Sequence, residues 1–251
     1  MFFQCHSLKH ITIPNEVETI EKNAFFSCAA LMTVNIPSSV TYIEEEAFSL
    51  CPNLLQIAVA QNPKYYVEGN CLISSNGTLL VGYGNFKIPN NGTIRSIGGR
   101  AFWGCEKVTS VTIPNGVYHI GRWAFMDCKN LESISIPDSV TTIEDAAFWG
   151  CKKLKSFTFP ARLTVIQEQF VDCESLTEIS IPSSVSIIAE EALYFCQNLT
   201  KIHYSGTKAE WGQIIKGALW DVGTPEYIVY CTDGTLTKKE ARAESNTLTG
   251  A

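Results

Sequence analysis

Apolar positions recur along this chain with a period of 23 residues, which falls to 22 in one copy. The clearest copy runs from Cys128 to Cys151 and defines the pattern C-x2-L-x2-I-x-I-P-x2-V-x2-I-x3-A-F-x2-C. A fixed period in this range is typical of solenoids, in which each unit buries its apolar side chains against the next unit. The pattern therefore predicts one elongated array of stacked repeats.

Each unit is predicted to contain two short extended segments and one tight turn. The Leu-x2-Ile-x-Ile segment places β-branched residues two positions apart, which favours a strand with one buried face. The following Pro ends this strand because it has no backbone N–H, and Val-x2-Ile forms the second apolar segment. Acidic residues before Ala-Phe, such as Glu44–Glu46, favour a single helical or 3₁₀ turn. The Phe is then expected to fill the core between successive turns.

Copies of the unit cover most of the chain. They begin at Cys5, Cys28, Cys105, Cys128, Cys151 and Cys173. The Cys151 copy has lost one residue and carries Gln169 where the pattern has Ala. The repeat resembles the BspA-like (Treponema pallidum type) leucine-rich repeat, because the Ile-Pro and Ala-Phe-x2-Cys signatures recur at fixed offsets.

The resemblance extends from residue 1 to about residue 204 and implies a fold. That fold is a repeat solenoid, mainly β with short helical or 3₁₀ turns, wound as a right-handed leucine-rich repeat superhelix. About eight 23-residue repeats would occupy residues 1–204, with one hairpin insertion and a small C-terminal cap.

The period breaks between Cys51 and Cys105, where we predict a hairpin insertion over about residues 61–86. Two alternating apolar runs flank Asn76-Gly77, a dipeptide that strongly favours a two-residue hairpin turn. The insertion is interpreted as a structural excursion that keeps the core sealed. The alternative is a recognition arm that projects from the edge of the solenoid.

The two ends of the array differ. Residues 205–251 are predicted to form a cap and a polar tail, with a short helix from a capping box at Thr207 to Gly217 and a strand over Tyr227–Cys231. The chain is expected to be loosely held from Thr235 onward. At the other end no cap is recognisable. We therefore expect the chain to begin inside a longer array and to self-associate through an exposed apolar N-terminal repeat.

Composition narrows the classes of partner. The net charge of -6 and an isoelectric point near 5.3 argue against a nucleic-acid partner, because phosphate binding needs clustered Lys and Arg. No run of about eighteen apolar residues is present, so no membrane span is predicted. The first residues lack the basic start and long apolar middle of a signal peptide.

Ten cysteines would ordinarily suggest a disulfide framework. All of them except Cys71 and Cys231, however, occupy one fixed position in the repeat. A residue that recurs once per turn is a packing position, where free Cys behaves as a small apolar side chain. We predict a reduced, stacked cysteine ladder, and disulfides between neighbouring turns are the alternative.

No catalytic, cofactor-binding or metal-binding residue is predicted, and the chain is not expected to be an enzyme. The histidines lie at positions that vary between repeats, so no Ser–His–Asp or Cys–His arrangement follows from the sequence. Zinc is not predicted because no Cys-x2-Cys or His-x3-His pair is present. The carboxylates of Glu44–Glu46 and Glu190–Glu191 are interpreted as solvated residues at the start of a turn.

Two surfaces remain as candidate binding sites. The first is the outward side of the first strands, which is a row of small polar groups. Its candidate residues are Thr33, Asn35, Ser110, Thr112, Ser133, Ser135, Ser156, Thr158, Glu178 and Ser180. Solenoids commonly bind ligands on such faces, although Ser and Thr also simply suit exposed strand positions. The second is an aromatic edge of Trp103, Trp123 and Trp149, which either contacts a protein or carbohydrate or packs between turns.

The family resemblance also implies a function. It implies a non-enzymatic protein-interaction or adhesion module of a secreted or cell-surface microbial protein. The expected ligand is a host or matrix protein, or a glycan, bound on the concave strand face. The alternative is a structural spacer in a larger surface protein, with no ligand of its own.

Overall fold

Two short strands and one tight turn per repeat build this protein, whose computed structural model describes residues 2–243. The strands are β1 (His10–Thr12), β2 (Thr19–Ile20), β3 (Thr33–Ile36), β4 (Tyr42–Ile43), β5 (Gln56–Val59), β6 (Tyr65–Glu68), β7 (Cys71–Ser74), β8 (Thr78–Gly82), β9 (Ser96–Ile97), β10 (Ser110–Thr112), β11 (His119–Ile120), β12 (Ser133–Ser135), β13 (Thr142–Ile143), β14 (Ser156–Thr158), β15 (Val165–Ile166), β16 (Glu178–Ile181), β17 (Ile187–Ile188), β18 (Lys201–Tyr204), β19 (Ile215–Lys216), β20 (Ile228–Cys231) and β21 (Gly234–Thr237). The helices are α1 (Lys208–Gln213) and α2 (Lys238–Ala243). The predicted repeat solenoid is confirmed.

Equivalent strands of successive repeats pair in parallel and in register. First strands, from the Leu-x2-Ile-x-Ile segments, pair as β1-β3-β5, β10-β12 and β14-β16-β18. Second strands, from the Val-x2-Ile segments, pair as β2-β4, β9-β11-β13 and β15-β17-β19. His10 pairs with Thr33, and Ser110 pairs with Ser133, one repeat apart in both cases. This register stacks each apolar position on its counterpart in the next repeat.

The segment that leads into each Phe forms consecutive β-turns instead of the predicted helical or 3₁₀ turn. In the first repeat, Ala24 N–H donates to Glu21 O and Phe26 N–H donates to Asn23 O, both at 3.1 Å. Asn23 and Ser27 have φ angles of 59° and 56°. A residue in this left-handed region interrupts helical backbone geometry, so the turn does not continue as a helix.

The Phe turns also hydrogen-bond to one another, in an arrangement that we call the Phe-turn ladder. The N–H of the Phe and the N–H two residues later donate to two carbonyls of the next turn. Thus Phe25 N–H donates to Ala47 O at 2.8 Å, and Ser27 N–H donates to Ser49 O at 2.9 Å. The rings of Phe25 and Phe48 stack with their centroids 5.2 Å apart. The ladder and the stacked rings together set the spacing of successive turns.

Where the period breaks, the chain forms a three-stranded antiparallel meander, β6-β7-β8. The hairpin turn predicted at Asn76-Gly77 links β7 to β8, and β6 is a further strand that was not predicted. Strand β8 pairs in parallel with β9, so the meander extends the second-strand sheet. Because Leu72, Ile73 and Leu79 are fully buried, the meander is an internal wall and not a projecting recognition arm.

This wall is buried on both faces and separates two parts of the apolar core. Leu72 and Leu80 pack with the N-terminal repeats, whereas Ile73 and Leu79 pack with the C-terminal repeats. Successive side chains of a strand point to opposite faces, which lets one thin sheet contribute to both parts. The meander therefore joins the two sets of repeats by sharing its side chains between them.

Helix α1 begins the C-terminal cap as predicted but is shorter. Thr207 and Glu210 form the capping box, with each side chain bonded to the backbone of the other residue. The helix ends at Gln213 and not at Gly217, because Ile214 is already extended. The extended backbone leads directly into β19, which pairs with β17 and continues the second-strand sheet.

The expectation that the chain is loosely held from Thr235 onward is wrong for residues up to 243. Strand β21 pairs antiparallel with β20, and α2 follows it. Leu236 and Ala241 are buried, and the indole Nε1 of Trp211 donates to Ala241 O at 3.2 Å. These few apolar contacts fill the end of the core. The rest of the predicted tail, residues 244–251, lies outside the described residues.

Candidate functional site

The outward side chains of the first strands form a polar surface, which we call the first-strand face. It consists of the ten candidate residues named from the sequence. Ser133, Ser135 and Thr158 are exposed, whereas Glu178 and Ser180 are half-buried. The alternation of side chains along a strand produces this surface, because the intervening apolar residues point into the core.

The first-strand face is interrupted by the meander. Thr33 and Asn35 lie in a sheet that ends at β5, and β5 does not pair with β10, where Ser110 begins the next part. The chain between β5 and β10 contains the meander and forms no first strand. Within the N-terminal part, His10 Nδ1 lies 2.9 Å from Thr33 Oγ1, and Asn35 Nδ2 donates to Thr12 Oγ1 at 3.1 Å. The structure thus divides a row that the repeat pattern alone presents as unbroken.

At its C-terminal end the first-strand face borders a shallow groove of about 520 Å³. Thr158 and Ser180 line this groove together with His203 and Tyr230. The rings of His203 and Tyr230 stack with centroids 5.3 Å apart, and His203 Nε2 lies 3.6 Å from Glu178 Oε2. Tyr230 was missed from the sequence because its place opposite His203 depends on the pairing of β18 with β20.

Two members of the predicted aromatic edge are brought together by an arginine. The guanidinium carbon of Arg100 lies 4.8 Å from the ring centre of Trp103 and 4.1 Å from that of Trp123. Such cation–π contacts are favourable when the cation is partly desolvated. Trp149 has no ring contact with either residue in the described part of the chain. All three indoles are half-buried, and contact of this edge with a protein or carbohydrate stays a prediction.

Glu45 and Glu46, which were interpreted as solvated residues, connect turns across the meander. Glu45 Oε2 accepts a hydrogen bond from Gly99 N–H at 3.0 Å. Glu46 Oε2 lies 3.2 Å from Lys22 Nζ and also pairs with Arg100. The carboxylates are therefore bonded to neighbouring turns, and these contacts explain their placement without any acid–base role.

The buried cysteine thiols are poorly suited to nucleophilic chemistry. All ten cysteines are free. Cys128 Sγ donates to Phe102 O and Cys151 Sγ donates to Phe125 O, both at 3.2 Å. Burial raises the pKa of the Cys196 thiol to about 12. Because the thiolate is the reactive form, such a thiol stays protonated and unreactive near neutral pH.

Residues 2–243 contain no group of three or more His, Cys, Asp or Glu side chains that could hold a metal ion. None of the helices in those residues combines the length and the apolar character needed to cross a membrane.

Similar structures have been solved for bacterial leucine-rich repeat proteins. A leucine rich cell surface protein from Faecalibacterium prausnitzii A2-165 is 32% identical, with a TM-score of 0.71 over 85% of this chain and 64% of that chain. A leucine-rich repeat protein from Bacteroides ovatus ATCC 8483 is 26% identical, with a TM-score of 0.58 over 90% of this chain and 64% of that chain. The pneumococcal vaccine antigen PcpA shares the fold at 19% identity, with a TM-score of 0.62 over 84% of this chain and 62% of that chain. The chain thus spans less than two thirds of the length of each of these proteins.

The sequence itself matches a family model over most of its length. Six copies of the BspA type leucine rich repeat region match residues 1–81 and 95–214. The comparison with curated proteins gives no match. Since the matched residues cover well over half of the chain, the chain belongs to the BspA type leucine-rich repeat family.

Proposed function

We propose that this chain is a non-enzymatic protein-interaction module that adheres to a host or matrix protein through its first-strand face. The observation that carries the proposal is the row of mostly exposed polar groups that ends at the groove beside Tyr230. Solenoids commonly bind along such extended faces. Tyrosine is also enriched at protein interfaces, where it combines apolar area with a polar group.

A secreted or cell-surface location is part of this proposal. The Faecalibacterium prausnitzii protein of similar structure is described as a cell surface protein. A surface location would place the first-strand face where it could meet a host or matrix protein.

The proposal is tested by a binding screen of the purified chain against immobilised matrix proteins, mucins and glycans. A variant carrying Ser133→Glu, Ser135→Arg and Thr158→Arg is screened beside it. These three side chains are exposed, so the substitutions change the charge and shape of the face and leave the core untouched. We expect a matrix protein to bind the natural chain and to bind the variant at least about tenfold more weakly.

A matched control places charge on the second-strand sheet. Thr141 and Thr142 are exposed there, and the control variant carries Thr141→Arg and Thr142→Glu. We expect it to bind as the natural chain does. A ligand that binds the first-strand variant at full affinity would contradict the assignment of the face. The absence of any ligand would instead support a structural spacer.

A further inference from the structure

The meander leaves two N–H groups of the Phe-turn ladder without partners in the described part of the chain, although its own Gly82 N–H donates to Ala101 O at 3.0 Å. In the Phe-turn ladder, the N–H of the Phe and the N–H two residues later normally donate to the next turn. Phe125 N–H donates to Ala147 O at 2.8 Å, and Asp127 N–H donates to Trp149 O at 2.7 Å. The turn at Phe48 is followed in the chain by the meander, so no regular turn covers it.

The Phe48 turn keeps the conformation of the other turns. Leu50 has a φ angle of 56°, which equals that of the equivalent Ser27 one repeat earlier. By this equivalence, the N–H groups of Phe48 and Leu50 point towards the place of the missing turn. Within residues 2–243 neither N–H has a hydrogen-bond acceptor, whereas every other Phe turn makes at least one of its two bonds.

The meander does supply acceptors for backbone N–H groups at the edges of the first-strand and second-strand sheets of the same repeats. The phenol oxygen of Tyr65 accepts a hydrogen bond from Ile43 N–H at 2.8 Å, in the second-strand column. The Tyr83 phenol accepts one from the backbone of Ile57, in the first-strand column. No side chain of the meander serves Phe48 and Leu50 in this way. The missing hydrogen-bond acceptors are thus confined to the Phe-turn ladder.

A cleft of about 410 Å³ occupies the position of the missing turn. The Phe48 turn lines one side, and the turn that contains Trp103 lines the other. Gly82 and Gly84 lie between them and contribute no side chains. A Cβ at Gly82 would lie 2.1 Å from the ring of Phe102, so only glycine fits there, whereas a Cβ at Gly84 would meet nothing closer than 3.8 Å.

We propose that this cleft binds a main-chain segment of a partner protein, with two carbonyl oxygens two residues apart that accept hydrogen bonds from Phe48 and Leu50. The segment would replace the missing turn in the Phe-turn ladder. The repeats indicate the chemistry of the occupant. In the Phe turns before and after the meander, the two equivalent N–H groups donate to carbonyl oxygens that are two residues apart. An unsatisfied N–H in a partly enclosed cleft is unfavourable, and a bound carbonyl removes that cost. The Phe-turn side of the solenoid is distinct from the first-strand face.

The probe is a fluorescently labelled peptide that copies residues 143–152, with Cys151→Ser and blocked termini. Its carbonyls at the positions of Ala147 and Trp149 are those that cover a Phe turn within this chain. Binding to the natural chain is measured by fluorescence anisotropy. Gly84→Asn is the blocking variant, because asparagine tolerates the φ angle of 57° at this position and extends a side chain into the cleft.

Gly92→Asn is the matched control. Gly92 also has a positive φ angle, of 78°, and a Cβ there meets nothing within 4 Å, but the residue does not line the cleft. We expect Gly84→Asn to weaken peptide binding by at least about tenfold and Gly92→Asn to change it by less than about twofold. Hydrogen exchange of the Phe48 and Leu50 amides is expected to slow when the peptide binds.

Three results would overturn the proposal. The first is a peptide that does not bind the natural chain, and the second is equal binding to the natural chain and to Gly84→Asn. The third is exchange of the Phe48 and Leu50 amides in the free protein that is as slow as that of Phe25 and Ser27. None of these results bears on the first-strand variants, so the two binding proposals succeed or fail separately.

Discussion

At the scale of single residues, the Phe and Cys of each repeat hold successive turns together. The rings of Phe125 and Phe148 stack with centroids 5.5 Å apart, and Cys151 Sγ donates to Phe125 O at 3.2 Å. The thiol thus serves both as a small apolar side chain and as a weak donor to a buried carbonyl. This combination explains why the repeat pattern has Cys at this position in almost every copy.

The buried thiols predict a loss of stability at alkaline pH. Burial raises the pKa of Cys71 and of Cys196 to about 12, from an ordinary value of 9.0. Above pH 9 the thiols of the unfolded chain ionise while those of the folded chain stay protonated, which favours unfolding. Stability from these groups is therefore complete below pH 9 and is lost as the pH rises towards 12. Each such thiol contributes a slope of about 1.4 kcal/mol per pH unit in that window.

Urea unfolding in the presence of a reductant, between about pH 8 and about pH 10.5, measures this slope. Cys196→Ala removes one of the thiols and should make the fall in unfolding free energy shallower by about the slope of a single thiol. Lysine and tyrosine ionisation affect both proteins equally. Identical slopes in the two proteins would show that Cys196 does not titrate as its burial requires.

At the scale of elements, the meander is the feature that departs most from the repeat. Its phenol groups supply hydrogen-bond acceptors at the edges of the two strand sheets, and the Tyr65 hydroxyl, which accepts from Ile43 N–H, is one example. It also supplies side chains to both parts of the core. An inserted element can therefore interrupt a solenoid without exposing its strand edges, provided that it offers acceptors at the right places.

Tyr65→Phe is predicted to destabilise the protein through this contact. The substitution leaves the ring in place and leaves the buried N–H of Ile43 without an acceptor, which costs about 1–3 kcal/mol. Tyr42→Phe is the control, because Tyr42 is 55% exposed and its change should stay within about 0.5 kcal/mol. Chemical denaturation measures both free energies of unfolding. An equal, small effect of the two substitutions would contradict the proposed capping of the strand column.

The regular elements could be predicted from the sequence, because the same strand pattern recurs in each copy of the repeat. Strand β6 was not predicted, although the dipeptide Gly69-Asn70 was a usable signal for the turn between β6 and β7. Both residues have the positive φ angles of a tight turn. The pairing of β8 with β9 could not be predicted, because the local sequence pattern of a strand does not indicate which other strand it pairs with. Tyr230 was missed for the same reason. The ten polar residues could be placed on the outward side of the first strands because alternation within a strand is a local property.

At the scale of the whole molecule, the array is closed at its C-terminal end by a cap that uses buried charge. Asp221 is fully buried, accepts a hydrogen bond from the Tyr227 hydroxyl at 2.8 Å, and lies 2.5 Å from Arg242 Nη2. These contacts attach α2 to the last turn. At the other end Phe2 and Phe3 are 40% and 44% exposed, and self-association through this face stays a prediction. Between the ends, the first-strand face offers the extended polar surface on which the proposed function depends.

The most direct test of that function measures whether a bound ligand covers the first-strand face. Ser133→Cys places a reactive thiol on the face in a chain whose four partly exposed cysteines, Cys5, Cys51, Cys105 and Cys231, are replaced by Ala. The rate of labelling by a thiol reagent is measured with and without saturating amounts of the matrix protein that is retained in the binding screen. Thr142→Cys, on the second-strand sheet, is the control. We predict that the ligand slows the labelling of Ser133→Cys severalfold and leaves Thr142→Cys unchanged. Unchanged labelling of Ser133→Cys by a fully bound chain would contradict the assignment of the binding face.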